Sequence, residues 1–300
     1  MPKLLGIGIN TMDIYRHEKR MYPGGNEFNI AYHAAKNGTQ AAFMGVFTRE
    51  DPLSLILYHT LEEAGVDLSH SHFQKGTSGF AIVDLVKGDR VFVDWNKKGV
   101  TDLYPFVFTP EEISYINTFD IVCLSRCARV DNQKVVKLAQ SGAAISYDFC
   151  DDYTKEDIIC LSPYLKFAFL SGSHLSETEV KDLLREITAR GTETAVATRG
   201  EKPAIAFDGK EFYYQKPMEV KAVDTMGAGD SFISRFLTAY LDVGKNGENA
   251  DKGAKIKNAL SKAASFAAEI VQKRGSLGVG YEMTEEQTER ILQTLKGGKV

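Results

Sequence analysis

The sequence predicts an α/β fold, a mainly parallel sheet covered by helices on both faces. Three observations lead there. Short apolar runs of strand type alternate with helical runs over the first two-thirds of the chain, the order of parallel strands joined by crossover helices. Several of the apolar runs are continuous, as at 41–47, which suits strands buried on both faces. The 300 residues are 43% hydrophobic and 25% charged, enough to bury a full core without disulfide staples.

The elements follow in order. Residues 3–9 form a short apolar strand. Residues 27–37 form a helix stopped by Gly38, and 41–47 a strand. Asp51 caps a helix with Pro52 in its first turn, and Gly65 ends it, the usual Pro-in, Gly-out asymmetry. Thr109-Pro110-Glu111-Glu112 is a capping box opening another helix,. A strand at 119–124, a helix from Asp131 to Gly142 and strands at 144–149 and 167–170 continue the alternation. A second capping box, Ser176 to Glu179, starts a helix reaching Gly191, before a strand at 194–198.

Two stretches interrupt the pattern. Residues 77–93 hold two β-type runs around Lys87-Gly88-Asp89-Arg90, a hairpin signal. A hairpin does not easily join a buried parallel sheet, so it is expected to project as a small accessory sheet, a candidate lid. Residues 204–214 form another hairpin, turning at Asp208-Gly209. A β-type run at 219–223 precedes helical periodicity that resumes after 227, with breaks near Gly244 and between Gly275 and Gly280. Thr284-Glu285-Glu286-Gln287 has the capping-box pattern a third time.

Composition narrows the function. Lys and Arg number 36 against 40 Asp and Glu, for a net charge of -4, without the basic clusters of a nucleic-acid binder. No apolar run approaches the roughly 20 residues of a bilayer span, so no membrane is expected. The first residues lack the apolar core and cleavage site of a signal peptide, which places the chain in the cytoplasm. Cys123, Cys127, Cys150 and Cys160 form no C-x-x-C pair and read as free thiols. Gly6-Ile7-Gly8-Ile9-Asn10-Thr11 lacks the third glycine of a dinucleotide fingerprint, and no Walker or G-x-S-x-G motif occurs,. His70-Ser71-His72 has no partner at metal-ligand spacing.

The strongest chemical signal is Asp224-Thr225-Met226-Gly227-Ala228-Gly229-Asp230-Ser231-Phe232. Gly227, Ala228 and Gly229 let a ligand approach the backbone where a helix begins, and the first-turn amides favour an anion there. Asp230 adds a carboxylate among these donors, which repels a resident phosphate. It makes sense if the anion is a phosphoryl group in transit and the carboxylate takes a hydroxyl proton beside it. Gly24-Gly25-Asn26-Glu27-Phe28-Asn29 opens another helix with amides suited to a polyhydroxy ligand,. Asn10-Thr11-Met12-Asp13 lies just past the first strand, where open α/β sheets bind ligands.

Together these segments resemble the PfkB sugar-kinase family, along nearly the whole chain from residue 3 to about 280. Asp224-Thr225-x-Gly227-Ala228-Gly229-Asp230-Ser231-Phe232 is similar to its C-terminal signature and Gly24-Gly25-Asn26-x-x-Asn29-x-Ala31 to its N-terminal one. Asn10-x-x-Asp13-Ile14-Tyr15, Gly-Gly-Asn and Arg90-Val91-Phe92 look most like the fructosamine kinases, which phosphorylate the 6-hydroxyl of fructoselysine. The resemblance implies a ribokinase-like three-layer α/β/α sandwich spanning 1–300, with a mainly parallel central sheet and a small β-sheet lid from about 11–22 and 77–100. It implies Asp230 as base, with Gly227, Ala228 and Gly229 as the anion hole, and Asn10, Asp13, Gly25 and Asn29 as sugar ligands. It also implies ATP at Thr198, Gly200 and Thr225, and magnesium organised through water by Glu177. A monovalent cation such as potassium near Asp224 and Thr225, and a homodimer through the lid, belong to the same set of expectations.

Two positions depart from the family pattern: His174 stands where N-x-x-E has its asparagine, and Pro203 replaces the second glycine of T-x-G-x-x-G. If the acceptor has an amino-acid tail, Asp94, in the lid flank Asp94-Trp95-Asn96, is a candidate to meet its ammonium group. The competing readings are a kinase of another sugar or nucleoside, a non-catalytic sensor on the same fold, and an NAD-linked enzyme, which the broken glycine fingerprint disfavours.

Overall fold

The computed structural model describes residues 1–86, 89–245 and 251–297. Its strands are β1 Lys3–Ile7, β2 Thr11–Tyr15, β3 Arg20–Gly24, β4 Gln40–Met44, β5 Val46–Phe47, β6 His72–Phe73, β7 Gly79–Val86, β8 Asp89–Trp95, β9 Ile121–Ser125, β10 Ile145–Asp148, β11 Leu165–Ser171, β12 Thr194–Thr198, β13 Ala204–Phe207, β14 Phe212–Gln215 and β15 Tyr281–Glu282. Its helices are α1 Asn26–Lys36, α2 Pro52–Glu63, α3 Val100–Leu103, α4 Pro110–Ile116, α5 Asn132–Gln140, α6 Lys155–Leu161, α7 Glu177–Ala189, α8 Ala228–Lys245, α9 Lys252–Ile270 and α10 Glu285–Gly297.

Eight strands form the central sheet in the order β14-β13-β12-β11-β10-β9-β1-β4. The six from β12 to β4 are parallel, and β13 and β14 add an antiparallel edge. Successive residues on a strand face opposite ways, and here both ways are buried. Leu4, Cys123, Phe167, Phe169 and Val196 pack into one core with Phe28 of α1, Phe236 of α8 and Leu260 of α9. Their neighbours Leu5, Val122, Ala168, Leu170 and Ala197 pack into another with Val135 of α5, Ile158 of α6 and Leu184 of α7. The result is the three-layer α/β/α sandwich expected.

The hairpin at 77–93 forms as β7 and β8, although Lys87 and Gly88 of its expected turn lie outside the described residues. It belongs to a separate five-stranded sheet, β15-β3-β2-β7-β8, in which β2 and β7 pair parallel and the remaining pairs antiparallel. All three capping boxes close: Thr109 with Glu112, Ser176 with Glu179 and Thr284 with Gln287 each exchange two hydrogen bonds of 2.7–3.2 Å. A fourth, Thr154 with Asp157, starts α6.

Some expectations fail. No strand forms at 219–223, where Val220 and Val223 are exposed: without a strand partner, β-type composition has no ladder to join. The first strand ends at Ile7, two residues early, and the run at 41–47 divides between β4 and β5. The break expected near Gly244 borders residues 246–250, which lie outside the described residues.

Candidate active site

The strand order reverses direction between β1 and β9: the chain steps from β1 to β4 on one side, then to β9, β10, β11 and β12 on the other. Such a switch point leaves a crevice beyond the carboxyl ends of the strands. Both helix entries singled out in the sequence open near it. Helix α1 follows β3 through Gly25, at φ 120, and α8 begins after Gly227, at φ 71.

Those two helix starts are tied together by one residue. Asn29 Nδ2 donates to Asp230 Oδ2 at 2.7 Å. The Ser276 hydroxyl lies 2.9 Å from Asn29 Oδ1 and 3.0 Å from the Pro23 carbonyl, facing both acceptors. His33 Nε2 meets the Ser276 carbonyl at 3.0 Å, and burial lowers its pKa to about 4, so the ring stays neutral and donates. Asp13 completes the group through β3: a side chain at Gly24 would lie 2.6 Å from Asp13 Oδ2 and 3.5 Å from Ser276 Oγ. Asp13, Asn29 and Asp230, far apart in sequence, therefore converge at one strand end. Asp13 and Asn29 are each only 3% exposed, whereas Asp230 is half-buried.

Asp224 plays a different part. It is fully buried and accepts from Tyr15 Oη at 2.8 Å, Gly275 N at 2.8 Å and Met226 N at 3.0 Å. It thereby holds the approach to α8 against the small sheet and the 275–280 turn. Burial, reinforced by this carboxylate, drives the Tyr15 hydroxyl pKa far up, so Tyr15 remains a donor. In the first turn of α8, the Ala228 amide turns back on the Thr225 carbonyl at 3.2 Å, and Ser231 N reaches Gly227 O at 2.9 Å. The Ala228 amide is thus engaged within the turn. At Gly229 an added Cβ would meet nothing within 4 Å.

The remaining predicted positions sit elsewhere. Asn10 is buried and spends Nδ2 on the Val46 carbonyl (3.1 Å), while its Oδ1 has no partner among the described residues. Thr198 ends β12, and Gly200, exposed at φ 61, follows it. Glu177 opens α7, and its exposed carboxylate is paired with Lys181 at 2.6 Å, which holds it below the usual carboxylate range. Among the described residues no cluster of three His, Cys, Asp or Glu is able to hold a metal ion.

Ser276 and His33 were not singled out in the sequence, Tyr15 stood there only as the last residue of a family motif with no role given to it, and Glu27 was given no role either. Its carboxyl is fully buried against Gly8, and neither oxygen has a hydrogen-bond partner of normal geometry among the described residues. Burial dominates and pushes its pKa well above the carboxylate range, with Asp230 adding repulsion. A carboxyl whose folded pKa is raised stabilises the fold below its unfolded pKa, and that contribution is lost as pH rises toward the folded value. Glu27→Gln is therefore expected to raise Tm by roughly 3 °C or more at pH 8, since about 1 kcal/mol moves Tm by about 2–4 °C in domains somewhat smaller than this. At pH 4 the gain disappears. Equal gains at the two pH values, read from melting curves, would contradict a neutral Glu27.

The sandwich, its switch point and the paired helix entries define a ribokinase-like protein. An Arabidopsis thaliana ribokinase, solved with ribose and ATP, superposes with a TM-score of 0.74 over 99% of both chains, at 18% identity. The chain belongs to the PfkB family of carbohydrate kinases, whose family model, "pfkB family carbohydrate kinase", matches residues 164–279. It is 33% identical to the fructosamine kinase FrlD of Bacillus subtilis, covering 93% of this chain and 94% of that one. It is 31% identical to the fructoselysine 6-kinase of Escherichia coli, covering 92% and 100%. The protein is accordingly a phosphotransferase with an alcohol group as acceptor.

Proposed function

We propose that the protein transfers the terminal phosphate of ATP to the 6-hydroxyl of a fructosamine, with fructoselysine the foremost substrate. The observation carrying this reading is the Asp13–Ser276–Asn29–Asp230 convergence beside the α8 entry, in a chain 31–33% identical to two kinases named for fructosamines. Asp230 takes the hydroxyl proton, the sugar oxygen bonds to the γ-phosphorus, and the bond to the ADP oxygen breaks. Asn29 aims the carboxylate by donating to its Oδ2. The Gly227 and Gly229 amides, more than that of Ala228, face the charge on the phosphoryl group. Asp13, Gly25, Asn29 and Asn10 bind the sugar, and Thr198, Gly200 and Thr225 the nucleotide.

Magnesium, when bound, would neutralise phosphate charge. With no protein cage among the described residues, phosphate and water oxygens would carry it, with Glu177 acting only through water. A potassium ion beside Thr225 would draw on backbone carbonyls, because Asp224 already accepts from three donors. Four free cysteines suit a reducing cytoplasm,, and no described helix is long and apolar enough to cross a membrane.

The small sheet acts as the lid in this proposal and joins two copies. Its edge strand β8 exposes Val91, Phe92, Val93 and Trp95, each 45–52% accessible, and apolar edges invite pairing. A sedimentation mass of two chains at micromolar concentration is expected; a mass of one chain contradicts the dimer.

Coupled ATP consumption over a panel of fructoselysine, fructose, ribose, a nucleoside and a keto-deoxy sugar acid tests the substrate. Highest kcat/KM for the fructosamine supports the reading, and preference for another member replaces it. No consumption with any member favours the sensor reading, for which the Glu177–Lys181 pair is the specific observation.

A further inference from the structure

A cleft of about 440 Å³ opens beyond the ends of β1, β9 and β10, lined by Ile9, Arg126, Cys127, Arg129, Tyr147 and Asp152 among others. That volume lies in the range of small-molecule sites, roughly 300–1,000 Å³. It sits at the switch point, and it borders the candidate active site on two sides. A side chain at Gly25 would lie 2.4 Å from the Ile9 carbonyl, and Cys127 is near enough to Asp230 to feel its charge. It is not on the nucleotide side. Thr198 ends β12, three strand spacings from β9, or roughly 14 Å at about 4.8 Å per strand.

The charges in the cleft are arranged in pairs of opposite sign. Asp152, 69% accessible, accepts from Arg126 Nε at 3.0 Å, and Arg126 also pairs with Asp157. Arg129, 54% accessible, pairs through Nε with Asp102 of α3 at 2.8 Å. A guanidinium has five N–H donors, more than one carboxylate satisfies. Arg129 also holds a left-handed backbone, φ 61, as does Cys150 at the end of β10, φ 57. Strain of this kind on non-glycine residues clusters at ligand sites, where the surroundings enforce it. A sugar alone offers no charge to such a cleft, whereas a free amino acid presents one carboxylate and one ammonium.

We propose that this cleft receives the amino-acid portion of a glycated amine, Arg129 taking its carboxylate and Asp152 its free ammonium group, with Arg126 positioning Asp152. The inference rests on the fructosamine reading above and assigns the tail to β9 and β10 rather than to Asp94, whose Oδ1 caps its own chain at Trp95 N, 2.9 Å.

The test compares two substrates on one enzyme preparation: fructosyl-lysine, and fructosyl-cadaverine, which lacks only the carboxylate. Their kcat/KM ratio does not depend on how much of a variant folds. The wild type is expected to favour fructosyl-lysine at least tenfold. Arg129→Asn, which tolerates the left-handed backbone, is expected to bring the ratio near one, and Arg129→Lys to restore part of it. Asp152→Asn is expected to erode in the same way the preference for fructosyl-lysine over fructosyl-aminohexanoate, which lacks only the free amine. Wild-type turnover of both amines at a ratio near one, or a ratio unmoved by Arg129→Asn, overturns the tail site and leaves the kinase reading standing. Turnover of ribose or fructose with no turnover of any fructosamine overturns both.

Discussion

Asp230→Asn is expected to lower kcat by roughly a hundredfold or more with little change in the KM for the sugar. The substitution keeps the shape of the side chain and an oxygen able to accept from Asn29 Nδ2, now 2.7 Å from Asp230 Oδ2. It removes only the capacity to take a proton. Positioning, contributed by Ser276 and Asn29, should survive, and with it ground-state binding. General-base help is worth about 10²- to 10⁴-fold, so a loss in that range with an unchanged melting curve identifies the role. Near-normal kcat would exclude Asp230 as the base. A KM rise with unchanged kcat would make it a binding residue instead.

Legibility in the sequence followed the range of the interactions. The alternation of strands and helices is local, and so are the capping boxes at Thr109, Ser176 and Thr284, all of which form. Asp230 and Asn29 stood out because each sits a few residues from a glycine that shapes its own helix entry. Ser276 did not: its value comes from Asn29, 247 residues away, and nothing near Ser276 marks it. Tyr15 appears in a quoted motif, but its role was not visible there, since Asp224 is 209 residues distant. Glu27 looks like an ordinary first-turn acid until Gly8 and the sheet close over it. The β2–β3 hairpin entered only through the family resemblance, which put part of the lid at about 11–22; local pattern does not show it, because its strands are five residues each, are separated by the short 3-10 turn Arg16–Glu18, and include Pro23, which argues against a strand in local terms. Conversely, residues 219–223 have strand composition without a strand, because pairing is decided by neighbours rather than by propensity.

The glycines at the α8 entry divide into two kinds, and substituting each by alanine should separate packing from ligand binding. At Gly227 a Cβ would lie 2.5 Å from Ser276 Cβ and 2.8 Å from its Cα, on a backbone already at φ 71. The left-handed penalty is about 1–2 kcal/mol, and overpacking adds roughly 1–3 kcal/mol. Gly227→Ala is therefore expected to lower Tm by roughly 5 °C or more, at about 2–4 °C per kcal/mol. Because Ser276 must move and Asn29 with it, kcat/KM should also fall roughly a hundredfold, the cost of a displacement of about 1 Å at a reacting centre. Gly229 differs: its Cβ would enter open space within α8, and alanine favours a helix over glycine by about 1 kcal/mol. Gly229→Ala should leave Tm unchanged or slightly higher while kcat/KM falls, since in the proposed mechanism the methyl would face the transferred phosphoryl group and, among the described residues, nothing else lies within 4 Å of it. Wild-type stability and kinetics in Gly227→Ala would show that Ser276 is not held against the α8 entry. Wild-type kinetics in Gly229→Ala would show that the transferred group passes elsewhere, and the anion hole at this helix start would have to be abandoned.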